Sequence, residues 1–420
     1  MSLSEVEITS FSSPQRRCHL LLLFYLPGYR VTLDSLSQVN HSDQQATRQD
    51  ITEVGREIQR YHKLEVQEDV SGVWRLQGEE LNKRLCLLHW LRRALRLSPD
   101  FVRQHFAAGL RQHLAAQRTE KALYDEHNLQ ALLRHCAQQL NRSFSPRDSQ
   151  FLQLFLQYCL CATDNVTLSE QQTQWLQSKP EWQIGRQVMH CWHKRRTSLA
   201  DDGPFIALLF SLIYAPQISQ VNHQNERRLN LAISALTARF QQLSGMHFSD
   251  QSGLQAQLYT HLSQALDRVI FDIGIDDSLA EEITALYPRL LRTTQQALSS
   301  FERDFSIRFC HEEVSLVAVI FGAWLMQENT LQEKQVLLLT GRDEVLEKQV
   351  EQQLRELTLL PLNIKHLDVQ LWQRQGAPEG IALVVSPYAT ALPLYSPPLI
   401  HAELPLSDYH QQRIRALLEA

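Results

Sequence analysis

The chain has 420 residues, and its 41 Lys and Arg against 46 Asp and Glu give a formal net charge of −5, which excludes a generally basic nucleic-acid coat while leaving room for a local basic surface. This length exceeds one ordinary core, so three or four domains are expected. Only 14 Gly and 15 Pro favour helices, and seven irregularly spaced Cys fit a reducing cytoplasm better than a disulfide scaffold. The apolar run at 20–26 is short and followed by a poor cleavage site, and the run at 314–326 is shorter than the ~20 residues a membrane span needs. The expectation is a soluble cytoplasmic protein without membrane contact.

Residues 14–28 read as a helix with a thick leucine face, and a short helix from Thr32 carries Leu33, Leu36 and Val39. After a turn at Asn40-His41, the tetrad Ser42-Asp43-Gln44-Gln45 has the form of a capping box, which predicts a new helix from Ser42 towards Ile58. Residues 64–66 and 73–76 alternate about a turn at Ser71-Gly72, the pattern of a hairpin. That order of elements predicts a winged helix-turn-helix over residues 1–80. In such a fold the first turns of the third helix meet base edges, which points to Gln44, Gln45, Thr47, Arg48 and Gln49; Lys63 and Arg75 would touch phosphates from the wing. Residues 1–100 hold thirteen Lys and Arg and thirteen Asp and Glu. Phosphate neutralisation supplies most of the affinity for DNA, so the rival reading is the same fold serving as a dimer or docking element.

Residues 84–97 continue as a helix whose Arg92, Arg93 and Arg96 read as a solvated face, and 101–116 as another, so that 81–120 form a helical linker. Ser145-Pro146-Arg147-Asp148 caps a helix over 149–162. His135-Cys136, Cys159-x-Cys161 and His190-Cys191-x-His193 lack paired metal-ligand spacing, and residues two apart on a helix point about 200° apart, so buried thiols are expected and no metal or cofactor. A helix over 227–242 precedes a stretch from 254 to 326 that reads as three or four helices. In the first, Leu254, Leu258, Leu262 and Leu266 repeat every four residues, while His261 and Arg268 lie two turns apart on one face as a stacked pair. Asp276-Asp277-Ser278 supply caps for a second helix that ends at Tyr287-Pro288; a third covers 289–304 and a fourth starts at His311-Glu312-Glu313.

Leu258-x-x-His261-Leu262 with Arg268, the Tyr287-Pro288 step, and Glu313 ahead of an apolar helix carrying Gly322 resemble the PTS regulation domain, or PRD, an all-helical module phosphorylated on histidine by sugar-phosphotransferase phosphocarriers. The resemblance implies one PRD at 219–328, beginning near Asn222-His223, and a more eroded copy at 121–218. It also implies a homodimer and the phosphocarrier protein HPr as a partner. His261 with Arg268 is then the retained phosphoacceptor candidate. The second histidine's place is held by Ile320, and in the first copy Leu156, Thr163 and Leu209 or Phe210 fall where His261, Arg268 and the second histidine would be. The wing closing on Trp74-Arg75-Leu76-Gln77-Gly78 is similar to the reader domain of PRD-containing transcriptional activators, whose usual Arg-Asp pair is Gln49-Asp50 here.

From Lys334 apolar strand patterns alternate with helices, predicting a small parallel sheet over 333–420, with strands at 336–340, 362–367, 380–386 and 398–402 and helices at 343–357 and after Ser407. This resembles the enzyme IIB domain behind the PRDs of such activators. Gly341 fits the glycine of its C-x-x-G loop, but Leu338 takes the place of the phosphocysteine. The Thr340-Gly341-Arg342 loop keeps a possible anion site at a helix start, though a scaffold role fits the acidic Asp343-Glu344 better. The fold class expected is therefore mainly α and multidomain: a winged helix-turn-helix, two all-α PRD bundles, and a C-terminal α/β domain. The function expected is a DNA-binding transcriptional regulator with most phosphorylation sites lost and no catalytic residues. The alternative is a protein–protein interaction factor that docks a phosphocarrier or another regulator without contacting DNA.

Overall fold

The computed structural model describes residues 10–213, 224–275, 278–327, 332–391 and 396–420. They divide into two compact units, Met1–Ala215 with Leu266–Gly274, and Pro216–Ala265 with Ile275–Ala420.

The first unit opens with α1 (Ser13–Tyr25), α2 (Leu33–Asn40) and α3 (Gln44–His62), followed by a hairpin of β1 (Glu65–Glu68) and β2 (Trp74–Gln77), and then α4 (Glu80–Leu97). Ser12 and Gln15 cap α1 reciprocally, with Pro14 in the first turn. The helix stops at Tyr25, because Pro27 stands two residues on and forbids another turn. Cys18 to Leu23 are all buried, so α1 is a central helix enclosed on every side and packed against α3 and α4. Thr32 and Ser35 cap α2, and His41 leaves it in the left-handed region at φ 49°. The hairpin is antiparallel, with Val66 opposite Leu76.

After α4 the chain runs through α5 (Pro99–Phe101), a π-helical segment at Val102–Ala107, and α6 (Ala108–Ala116). The short α7 (Lys121–Tyr124) leads into a bundle of α8 (Glu126–Gln139), α9 (Pro146–Cys161), α10 (Glu170–Gln177), α11 (Glu181–His193) and α12 (Gly203–Ile213). Ser145 caps α9 as its sequence predicts. Helices α11 and α12 touch backbone to backbone: a Cβ on Gly185 would sit 2.1 Å from the Gly203 carbonyl oxygen, so only glycine allows this approach.

In the second unit a five-helix order repeats: α13 (Gln224–Ser244), α14 (Gln251–Ile270), the short α15 (Ser278–Leu286), α16 (Pro288–Phe305) and α17 (His311–Gln327). The last turn of α14, from Leu266, counts with the first unit. Leu254, Leu258, Leu262 and Leu266 are fully buried, as their spacing predicts. Tyr287 ends α15 and Pro288 opens α16. The predicted caps Asp276 and Asp277, and the Asn222-His223 start, lie outside the described residues.

The C-terminal part holds β3 (Lys334–Thr340), α18 (Glu344–Leu357), β4 (Leu362–Asp368), α19 (Val369–Gln375), β5 (Leu383–Ser386), β6 (Leu399–His401) and α20 (Asp408–Glu419). Its four strands are all parallel in the order β4-β3-β5-β6, with Leu338 opposite His366 and Val385. Both faces are covered, as parallel sheets require. Val336, Leu338, Leu383 and Val385 pack with α18 and α20, while Leu337, Leu339 and Val384 pack on Trp372 of α19. The predicted strand at 380–386 is shorter than its apolar run, and α19 was not anticipated.

Candidate functional site

The exposed start of α3 is the first candidate. Its cap is Asp43, whose carboxylate accepts the Ala46 amide at 2.7 Å; the predicted cap Ser42 instead hydrogen-bonds the Thr47 hydroxyl at 3.1 Å. That corrects the role expected for Thr47. It is buried, with its hydroxyl also 2.8 Å from Ser37 Oγ and donating to the Asp43 carbonyl at 2.9 Å, so it closes the α2–α3 turn and does not reach a base edge. Gln44, Gln45, Arg48 and Gln49 are exposed side by side. Gln44 Nε2 donates to Asp34 on α2 at 2.7 Å. Asp50 is buried and receives Arg16 Nε at 2.8 Å and Arg17 Nε at 3.4 Å, so it fastens α3 to α1. Lys63 and Arg75 are both exposed, and each has an acidic partner: Lys63 the carboxylate of Asp272, and Arg75 that of Asp69 at 3.6 Å.

His261 is the second. It lies on α14 with its side chain 20% exposed, and Nε2 stands 3.8 Å from Glu313 Oε2, whose side chain is buried in the first turn of α17. Glu313 of α17 therefore adjoins the imidazole. The sequence marked Glu313 as a landmark but not as this neighbour. Ile320, in the second histidine's place, is buried apolar core. One residue before Arg268, the buried Asp267 accepts Trp175 Nε1 at 2.8 Å, Lys179 Nζ at 2.6 Å and Ser211 Oγ at 2.8 Å. Those donors come from α10, the turn after it, and α12, so Asp267 anchors the end of α14 within the first unit.

The corresponding positions of the first bundle are inert. Leu156 is the eleventh residue of α9, as His261 is of α14, and it is fully buried. Thr163 lies beyond the end of α9, and Leu209 and Phe210 are fully buried. Cys136, Cys159 and Cys161 are buried as expected, and burial pushes the Cys161 and Cys136 thiols up to about 12; Cys191, expected to be buried with them, is instead exposed near the end of α11. Among the described residues no group of His, Cys, Asp and Glu is placed to hold a metal ion.

In the C-terminal domain Leu338 is buried in the middle of β3 and is not part of a loop. The loop after β3 is already met by an acceptor from α18. Glu347 Oε1 accepts the Gly341 amide at 2.6 Å and the Tyr388 hydroxyl at 2.7 Å. The Tyr388 ring covers Gly341 so closely that a Cβ there would lie 2.9 Å from it. Asp343 caps α18 through the Leu346 amide at 3.0 Å.

Residues 234–324, from within α13 to near the end of α17, match the PRD domain family. The class defined is therefore a PRD-type regulatory protein, and no helix among the described residues is long and apolar enough to cross a membrane. Residues 334–418 match the family described as "Stationary phase-inducible protein CsiE, C-terminal domain". The chain is 46% identical over 414 residues to the stationary phase-inducible protein CsiE of Escherichia coli (strain K12), an alignment that covers 97% of each. The chain belongs to the CsiE family.

Proposed function

We propose that this protein is a transcriptional regulator that reads double-stranded DNA with α3 of an N-terminal winged helix-turn-helix, as a homodimer held by two tandem PRDs. The observation that carries this reading is the exposed set Gln44, Gln45, Arg48 and Gln49 on the first turns of α3. Amide and guanidinium groups form bidentate pairs with adenine and guanine edges, and this is the part of a recognition helix that enters the major groove. Asp50, held by Arg16 and Arg17, fixes the pitch of that helix on its scaffold. The five-helix order of α8–α12 and again of α13–α17 supports two PRDs, and the C-terminal sheet supports an enzyme IIB-like origin without the phosphocysteine. His261, beside Glu313, is the one phosphoacceptor for HPr. Incubation with the phosphocarrier system should place an acid-labile phosphate on the wild type and none on His261→Ala. Selection over random duplexes at low salt tests the DNA reading: it should enrich a two-fold symmetric site, and Arg48→Ala should abolish the enrichment.

A second reading is favoured by the acidic partners of Lys63 and Arg75 and by the balanced charge of residues 1–100. On that reading the same fold docks a phosphocarrier or another regulator and touches no DNA. Absence of enrichment, with Arg48→Ala behaving like the wild type, selects it.

A further inference from the structure

Below the hairpin, a cleft of about 670 Å³ opens between β2, the loop that follows α1, and the ends of α4 and α9. Its frame is rigid: the Trp74 amide donates to the Val31 carbonyl at 2.8 Å, and Tyr25 donates its hydroxyl to the Lys83 carbonyl at 2.6 Å. Trp74 and Tyr158 give it aromatic walls. The indole Nε1 of Trp74 is buried without a hydrogen-bond partner, an arrangement that is unfavourable unless an acceptor meets it.

The charged lining favours an anion. Arg30 and Lys83 line the cleft, and neither has an ion-pair partner among the described residues. Arg75 also lines it and leans towards Asp69. Two carboxylates are present: Glu80 accepts the buried Arg84 Nε at 3.0 Å, and Asp164 is exposed. Setting aside the pairs Arg75–Asp69 and Glu80–Arg84, the cleft is lined by two cations, Arg30 and Lys83, against one carboxylate, Asp164, and the partnerless Trp74 indole belongs to its wall.

We propose that this cleft binds a small organic anion with a flat apolar body. The body lies between Trp74 and Tyr158, the anionic end meets Arg30 and Lys83, and the Trp74 N–H donates to a ligand oxygen. This goes beyond the reading of α3, which neither uses nor requires it. Because Trp74 belongs to the hairpin and Tyr158 to α9, an occupant ties the hairpin to the first five-helix bundle.

The test is calorimetric titration of the full chain with phenyl phosphate, with phenylacetate, inorganic phosphate and benzylamine in parallel. Phenyl phosphate should saturate the protein at millimolar concentration or below, and binding should weaken about tenfold or more in the Arg30→Gln, Lys83→Gln double variant. Trp74→Phe keeps the ring and removes the donor, and should weaken binding several-fold. Preference for phenyl phosphate over phenylacetate assigns a phosphate ester, and the reverse a carboxylate. If the double variant fails to fold, shielding of Trp74 fluorescence in the wild type by phenyl phosphate, taken as the difference from Trp74→Phe, replaces it. No saturation up to about 10 mM, equal binding of benzylamine, or binding unchanged in a folded double variant would overturn the proposal.

Discussion

His19 is held as a neutral imidazole by its surroundings. Burial pushes its pKa down to about 4, its ring stacks on Phe101 at 3.8 Å, and its nitrogens lie 2.8 Å from Asn40 Oδ1 and from Ser98 Oγ. The unfolded chain therefore takes up this proton first, near pH 6.5, so the stabilisation is complete above that value and is lost as the pH falls towards about 4. Urea unfolding at pH 7 and pH 4.5 should show a fall in stability that is smaller in His19→Gln, since other groups still titrate there; an identical fall contradicts the assignment. Glu347 is a second single-residue test. Glu347→Ala leaves the Gly341 N–H and the Tyr388 O–H without their acceptor and should cost about 1–3 kcal/mol in urea unfolding, while Glu347→Gln keeps an acceptor and costs less. Of these two residues neither was legible in the sequence. A lone histidine in a leucine run carries no mark of its distant partners Asn40 and Ser98, and Glu347 acquires its role only when β5 brings Tyr388 across the loop.

Elements were read more easily than their junctions. The leucine repeat of α14 and the Tyr287-Pro288 break each have one physical interpretation, and both elements formed where the pattern put them. The start of α3 was ambiguous because Ser42 and Asp43 are both good caps; the left-handed turn at His41 decided for Asp43 and sent Thr47 inward. Helix α19 did leave a signal, Asp368 ahead of it and Gly376 behind at φ 73°, but seven mostly polar residues hide the one buried Trp372. The π segment at Val102–Ala107 has no signal in helical periodicity. Elements are joined at one costly point: Arg84 of α4 is buried, with Asp202, just before α12, at 2.8 Å and Glu80 at 3.0 Å. Arg84→Ala should destabilise the protein by about 3–5 kcal/mol in denaturant unfolding, because the buried Asp202 and the half-buried Glu80 are left without their cation. Replacing the set together, Arg84→Met with Glu80→Gln and Asp202→Leu, should restore most of that loss; equal damage from both would contradict the pairing.

At the scale of the whole molecule, a PRD-type regulatory protein carries apolar side chains at several positions where the family resemblance would put phosphoacceptors. Leu156 and Ile320, at the positions where the resemblance would put acceptors, are packed core, and Glu347 of α18 accepts the Gly341 amide after β3. On the proposed function, input falls to His261 and output to the exposed start of α3. The family's landmarks were legible because they are local in sequence. The balance of charge in the first 100 residues was the feature that sequence alone left open, because the pairing of Lys63 with Asp272 needs the fold. The most direct measurement is the affinity of the intact protein for its selected duplex as salt is raised, in the wild type and in Arg48→Ala. The account predicts specific binding that weakens steeply with salt, and a variant that loses about 1–3 kcal/mol of preference for that site. Equal, weak binding of every duplex by both proteins would contradict it.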